Sequence, residues 1–287
     1  MKRREFITLL GGAAAAWPLA AGAQETAMPV VAFVTPSERD SFPPRYVAAF
    51  RKGLSDTGYI EGQNVSVEYH WLEGRYDRLP ALMADLVRRQ VAVIATPGGS
   101  FTALAAKAAT ATIPIVFGVA ENPVSSGLVA SLARPGGNAT GANFFLGEVV
   151  AKRLGLLHEL VPKAVRLGVL VNPANGLTAE ATLRDIPEAA RTLGLQVQVL
   201  KASTGPEIDA GFSAMVRDRA DALFIAPDAF FVSRRVQFAT LATRDRVPTS
   251  CANREMVEAG LLMSYGVNIA DMFRCFSPNL PSKNWRY

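Results

Sequence analysis

One segment, residues 91–132, constrains the fold more than any other part of the chain. It contains two short apolar runs rich in β-branched residues, VAVIAT (Val91–Thr96) and IPIVFGVA (Ile113–Ala120). Such runs are typical of strands that are buried on both faces of a parallel sheet. The segment therefore predicts the order strand, loop, helix, strand, loop, helix.

The loops after these two strands carry helix-start signals. PGGS ends the first strand, and Ser100 is predicted to cap the helix that follows. ENP ends the second strand, with Asn122 as the predicted cap and Pro123 as the first helical position. Ligands of parallel sheets bind at the carboxyl ends of the strands, where helix N-termini present unpaired N–H groups. We therefore predict that this segment forms half of a binding cleft.

The same pattern of strands and helices occurs twice along the chain. The sequence predicts an α/β fold with two Rossmann-like lobes, each with a parallel sheet, over residues 24–145 and 146–262, followed by a return crossing and tail over residues 263–287. The cleft is expected between the lobes. The predicted strands are Val30–Thr35, Val65–Trp71, Val91–Thr96, Ile113–Ala120 and Thr140–Phe145 in the first lobe, and Val165–Val171, Leu195–Leu200, Ala222–Ala226, Val247–Cys251 and Leu261–Val267 in the second.

Residues 1–23 have the three parts of an export signal. Basic residues occupy positions 2–4, an apolar run covers residues 7–16, and Ala21-Gly22-Ala23 is a small-residue cleavage site. Arg3-Arg4 resembles a twin-arginine signal, and the apolar run fits general secretion equally well. The run is shorter than the roughly 20 residues that span a bilayer. We expect a periplasmic mature protein that begins near Gln24.

Composition excludes several classes of function. Two cysteines and two histidines, without CxxC or HxxxH spacing, predict no metal site and no cofactor. The net charge of +5 falls to about +3 when the signal's three basic residues and one acidic residue are removed, and there is no basic run to bind nucleic acid. The scattered arginines are predicted on solvated helix faces. The motifs GxSxG and GxGxxG are absent, so we expect no catalytic residues and no enzyme activity.

The charged and small residues at predicted strand ends are the first candidates for ligand binding. Gly99 and Ser100 are candidates for a ligand carboxylate, because glycine lets a ligand approach the backbone and the helix start supplies N–H groups. Thr35 is placed to donate to the same carboxylate. Asp228 is the candidate partner of a ligand ammonium group. Helix capping is the alternative role of Ser100 and Asp228.

Further candidates lie in loops and among the aromatic residues. Asn122, Asn172 and Asn175 are polar loop residues, with turn formation as the alternative. Phe230 and Tyr265 are candidates to face an aromatic ligand, with core packing as the alternative.

Several segments, in order, resemble one known family. They are the leader, VSSGLVASLARPGGNATG, LGVLVNPAN, APDAFF and LMSYG, and they resemble the tryptophan/tyrosine-transport type of ABC transporter substrate-binding proteins. The resemblance implies the type I periplasmic-binding fold, a small-molecule ligand and delivery to a membrane permease. Aromatic amino acids are the named ligands of some members. We expect a monomer that binds a small carboxylate-bearing solute.

The chain departs from this family in two places. Glu121-Asn122 stands where members commonly have an acidic residue before Pro-Val. After Arg274, the family continues with a long helix, whereas this chain has CFSPNLPSKNWRY, which is expected to be a truncated or altered end. The altered end makes a nonfunctional product an alternative. The same fold could also serve a ligand-sensing periplasmic protein, and an exported α/β enzyme is the least favoured alternative.

Overall fold

The computed structural model describes residues 28–144 and 149–275, which form two five-stranded parallel sheets. The predicted signal segment and the tail beyond Cys275 lie outside the described residues. The strand order is β2-β1-β3-β4-β5 in the first sheet and β10-β9-β8-β6-β7 in the second. The first sheet contains β1 (Val30–Thr35), β2 (Ser66–Trp71), β3 (Val93–Thr96), β4 (Ile115–Val119) and β5 (Ala139–Asn143). The second contains β6 (Arg166–Val171), β7 (Gln196–Lys201), β8 (Ala222–Ile225), β9 (Thr249–Cys251) and β10 (Met263–Ser264).

Helices connect the strands and cover both faces of each sheet. They are α1 (Pro44–Asp56), α2 (Leu79–Arg88), α3 (Ser100–Ala109), α4 (Val150–Leu160), α5 (Gly176–Thr192), α6 (Gly205–Arg217), α7 (Ala229–Ser233), α8 (Arg235–Asp245), α9 (Arg254–Glu258) and α10 (Ile269–Cys275). We call each sheet with the helices packed on it a lobe. The central strands are almost wholly buried, as their apolar sequences predict. The predicted α/β fold with two parallel sheets is confirmed.

One predicted helix does not form. Residues 123–127 make a turn instead, in which the side-chain oxygen of Asn122 accepts from the N–H groups of Val124 at 2.9 Å and Ser125 at 3.4 Å. The amide therefore caps a single turn. Gly127 has a φ of +73°, a left-handed conformation that ends helical geometry, and Pro135 follows soon after.

The start of α3 also differs from the prediction. Gly99, with a φ of +109°, occupies the capping position, and Ser100 is the first helical residue. A side chain would strain this backbone conformation, which explains the glycine. Ser100 is fully buried and does not cap the helix.

Arg153 contradicts the prediction that the arginines lie on solvated helix faces. It is 0% exposed, with its guanidinium 4.0 Å from the ring centroid of Phe224 and a 3.3 Å hydrogen bond to the carbonyl of Ile225. Burial lowers the pKa of Arg153 to about 10. Stacking on an aromatic face and one carbonyl acceptor partly compensate the desolvated charge.

The chain returns to the first lobe at its end. Helix α10 follows β10 of the second sheet but packs against α1, where Phe273 stacks on Tyr46 with ring centroids 4.8 Å apart. The guanidinium of Arg274 pairs with Asp56 at 3.0 Å. Phe273 thereby joins a group that we call the aromatic cluster. Its members are Phe33, Phe42, Tyr46, Phe50, Tyr69, Trp71 and Phe273.

Among the residues that the structure describes, no helix is both long and apolar enough to cross a lipid bilayer.

Candidate functional site

A cavity of about 90 Å³ lies between the two lobes, at the carboxyl ends of both sheets. One water needs only about 10–15 Å³, so this space admits a small organic group. We call it the cleft cavity. Its polar lining comes from strand ends, the loops after them and two helices, and consists of Thr35, Ser37, Gly98 and Gly99 of the first lobe and Asn175, Thr178, Asp228, Ser233 and Asn253 of the second. Its apolar wall consists of Phe42, Tyr46, Phe144, Val232, Ile269, Met272 and Phe273.

Asp228 is the charged residue of this lining, and four donors hold its carboxylate. It lies between β8 and α7 and is 7% exposed. Oδ1 accepts from Asn172 Nδ2 at 3.2 Å and from the N–H of Phe231 at 3.1 Å. Oδ2 accepts from Asn175 Nδ2 at 2.9 Å and from the hydroxyl of Tyr76 at 3.4 Å. Asp228 thus caps α7 and also presents a fixed carboxylate to the cavity.

The surroundings of Asp228 favour the binding of a cation. Burial raises the pKa of its carboxyl, and the hydrogen bonds from Asn175 and Asn172 oppose that shift. Within the described residues, the side-chain oxygen of Asn175 is buried and accepts no hydrogen bond. A ligand ammonium would supply both a positive charge for the carboxylate and donors for this oxygen.

The first lobe contributes a helix start to the opposite side of the cavity. Gly98 and Gly99 lead into α3, whose first N–H groups have no acceptor within the helix. At Gly98 a Cβ atom would lie 2.2 Å from Cδ of Pro36, so only glycine fits. The hydroxyl of Thr35 lies nearby and donates to Ser37 at 3.2 Å.

Glu121, at the end of β4, connects the lobes beside this helix start. Its carboxylate accepts hydrogen bonds from the hydroxyls of Ser100 in the first lobe and Thr178 in the second. Both donors are buried, and Thr178 also lines the cavity. The hydroxyl of Ser100 is therefore committed to a carboxylate of the protein itself.

Ionic contacts join the lobes at the side of the cleft next to α1. The guanidinium of Arg45 binds Glu255 and Glu258, each at 2.6 Å. Arg234 pairs with Glu38, and Arg235 donates to the carbonyl of Ser41. We call these contacts the latch. They hold the lobes together around the cleft cavity.

The structure brings several of the predicted site residues together. Thr35, Gly99, Asn175 and Asp228 line the cleft cavity, and Asn172 lies directly behind Asp228 as a hydrogen-bond donor.

Four others lie elsewhere. Ser100 lies beneath the cavity on Glu121, and Asn122 forms a turn. Phe230 is buried in the core of the second lobe, in line with the packing alternative, and Tyr265 is 40% exposed outside the cavity.

Sequence reasoning did not identify the residues of the apolar wall, and it also missed the polar lining residues Ser37 and Asn253. Ser37 and Asn253 had a usable signal, because each follows a buried strand that was predicted. Met272 and Phe273 reach the cavity through the return of α10 to the first lobe, which the predicted return crossing and the apolar residues of this helix indicated without pointing to the cavity.

The described residues contain no group of three or more His, Cys, Asp or Glu side chains that would hold a metal ion. Cys251 is buried, and burial raises the pKa of its thiol to about 11.

Known proteins resemble this chain in both sequence and fold. The tyrosine-binding protein of Clostridioides difficile (strain R20291) is 28% identical over 222 residues, which cover 76% of this chain and 62% of that protein. This chain therefore spans less than two thirds of that relative's length. A conserved domain protein from Vibrio cholerae has a solved structure with a TM-score of 0.76 and 24% identity, over 88% of this chain and 83% of that one.

A further solved structure is the ABC domain from Streptococcus pneumoniae in complex with L-Trp. It has a TM-score of 0.74 at 19% identity, over 87% of this chain and 82% of that one. These likenesses show a common fold, the type I periplasmic-binding architecture.

Residues 30–273 match the sequence model of the family described as ABC transporter substrate binding protein. Members of this family bind small molecules and work with membrane permeases, and they are not enzymes, which confirms the prediction made from the missing catalytic motifs. The match covers most of the chain, and with the two parallel sheets and the cavity between them it shows that this chain belongs to the ABC transporter substrate-binding proteins.

Proposed function

We propose that this protein is the exported solute-binding component of an ABC uptake system and that it binds an aromatic amino acid in the cleft cavity. One observation carries the proposal. The buried carboxylate of Asp228 and the unpaired side-chain oxygen of Asn175 face a cavity whose other wall is largely aromatic. That arrangement fits a ligand with an ammonium group at one end and an apolar ring at the other.

The lining suggests how such a ligand is oriented. Its ammonium group binds Asp228 and the oxygen of Asn175, where a charge-assisted hydrogen bond is strongest because water is excluded. Its carboxylate points toward the N–H groups of Gly98 and of the first turn of α3. Its ring lies against the apolar wall, next to Phe42 and Phe273.

Two relatives support this class of ligand. The Clostridioides difficile relative is named a tyrosine-binding protein, and the Streptococcus pneumoniae structure contains L-Trp. The export signal over residues 1–23 supports a periplasmic location, and family membership supports a membrane permease as partner. We propose that the protein acts as a monomer.

Calorimetric titration of the purified protein tests the ligand class. We expect L-tryptophan or L-tyrosine to bind at micromolar or lower concentration and L-glutamate not to bind, because a second ligand carboxylate has no cationic side chain among the described lining residues. Asp77→Asn is the matched control for Asp228→Asn, since Asp77 is an exposed carboxylate outside the cavity. Binding that survives Asp228→Asn, or failure of every aromatic amino acid to bind, would refute the proposal.

A further inference from the structure

We infer that Glu121 determines the head-group specificity of the cleft. Its negative charge lies beside the start of α3, next to the proposed position of a ligand carboxylate, so the cleft accepts an aromatic amine with an uncharged carboxamide at least as well as the free amino acid. This inference rests on the proposed function, because it concerns the same ligand in the same cavity.

The position of Glu121 is the first line of evidence. The N–H groups in the first turn of α3 are the proposed site of a ligand carboxylate, and Ser100, the first residue of this helix, already donates its hydroxyl to Glu121. The positive end of the α3 dipole therefore already interacts with an internal anion. A ligand carboxylate at this place would be a second anion beside the first.

The fixed geometry of Glu121 is the second line of evidence. Ser100 and Thr178 hold the two carboxylate oxygens from opposite lobes, one oxygen each. Both hydroxyls are buried, so swinging the carboxylate away would leave two donors unpaired. Glu121 therefore stays in place when a ligand enters.

The charge balance of the cavity is the third line of evidence. Among the described residues, no lysine, arginine or histidine lines the cavity, and the nearby Arg45, Arg234 and Arg235 are engaged in the latch. A ligand ammonium is balanced by Asp228. A ligand carboxylate would meet Glu121 with no cation to offset the repulsion, which is strong in a desolvated site.

Asn175 and Thr178, three residues apart at the start of α5, donate to Asp228 and Glu121 respectively. Tyr76 also contacts Asp228. Its hydroxyl donates to Asp228, and its pKa is raised by burial first and then by the negative charges of Asp228 and Glu121. The two carboxylates are thus held by neighbouring residues of the second lobe, both of which line the cavity.

The test compares L-tryptophan with L-tryptophanamide, which differ in the charge of one group and little in shape. Calorimetric titration of the full chain at about pH 6 keeps both amines protonated. In the wild-type protein we expect the amide to bind at least as tightly as the acid. In Glu121→Gln, whose amide keeps contact with both hydroxyls, we expect the acid to gain about tenfold relative to the amide, or about 1.4 kcal/mol.

Glu258→Gln is the matched control, because it also weakens a carboxylate contact between the lobes but lies in the latch. It should change the affinity for both probes by the same factor. A structural role of Glu121 would likewise change both affinities equally.

The outcomes separate this inference from the proposed function. If L-tryptophan binds and the acid-to-amide ratio is the same in wild type and Glu121→Gln, the inference is wrong and the proposed function stands. If neither probe binds any variant, both are wrong. If Glu121→Gln does not fold, the relative affinity of the wild-type protein for the two probes tests the inference. Tenfold tighter binding of L-tryptophan than of L-tryptophanamide would show that Glu121 does not repel the ligand carboxylate, and the inference would be wrong.

Discussion

At the scale of single residues, the buried carboxylate of Asp228 lowers the stability of the ligand-free protein, although it is the proposed partner of the ligand's ammonium group. Burial raises the pKa of its carboxyl above the ordinary value of 3.8. The ligand-free protein therefore loses stability as pH rises from that value through the raised pKa, because the native state holds the proton longer than the unfolded chain. A buried carboxylate without a cation is the cause.

We predict that Asp228→Asn raises the melting temperature of the ligand-free protein at neutral pH, by about 2–4 °C for a gain of about 1 kcal/mol. The amide of Asn175 can rotate to present its unpaired oxygen to the new side chain. Binding of an aromatic amino acid should weaken by about 2–5 kcal/mol. Scanning calorimetry and titration measure the two effects, and a lower melting temperature together with unchanged binding would contradict the argument.

The sequence predicted those site residues that lie at the end of a buried strand or in the short loop after it. Asp228 and Gly99 met that condition. The role of Glu121 was not predictable, because its contact with Ser100 exists only when β3 and β4 pair side by side, with Thr96 opposite Phe117. Tyr265 follows β10, a two-residue strand at the sheet edge, and its side chain is partly exposed outside the cavity.

At the scale of elements, α10 is short but well anchored. Phe273 is 3% exposed and contacts Phe33, Phe42 and Tyr46. We predict that Phe273→Ala lowers the free energy of unfolding by about 3–5 kcal/mol, as loss of a buried phenylalanine does. The neighbouring Arg274→Ala, which removes an exposed guanidinium, is the control and should have little effect.

Urea denaturation of both variants measures the difference. If Phe273→Ala and Arg274→Ala lost the same amount of stability, the aromatic contacts of Phe273 would not be what anchors α10 to the first lobe. Ligand binding should also fall in Phe273→Ala, since Phe273 belongs to the apolar wall.

The pattern of apolar and polar residues predicted most of the strands and helices, and the elements that it missed have physical reasons. Strands such as β1 and β6 were predicted within one residue because their apolar runs are continuous. Helices α7 and α9 were not predicted, because five residues are too few to display a helical period. The turn at 123–127 resembles a helix start in sequence, but Gly127 ends it.

At the scale of the whole molecule, the latch joins the two lobes at one side of the cleft. Arg45 connects α1 to two carboxylates of α9. We predict that Arg45→Ala increases the radius of gyration of the ligand-free protein, because Glu255 then loses its cationic partner and the lobes separate. Small-angle scattering measures this change, and an aromatic amino acid should restore the compact form.

High salt should act in the same direction on the wild-type protein, since ionic contacts that are partly exposed are screened. Arg191→Ala is the control, because Arg191 pairs with Glu188 within α5. If the radius of gyration is the same in wild type and Arg45→Ala, the latch does not control opening.

The two-sheet architecture was predictable because the strand-and-helix pattern occurs twice along the chain. The latch was not, since its partners are up to 213 residues apart and meet only when the lobes face each other. Periodicity describes each lobe separately and carries no information about their relative orientation.

The position of Trp71 gives the protein its own optical reporter. Its indole lies 4.9 Å from the ring of Phe42, a residue of the apolar wall, and is nearly parallel to Tyr69. The sequence has three tryptophans, at positions 17, 71 and 285, and the first leaves with the proposed signal segment. Replacing Trp285 with phenylalanine therefore leaves one indole beside the cleft, so its emission wavelength and quenching by acrylamide follow filling of the cavity by a ligand that lacks an indole, without an added dye.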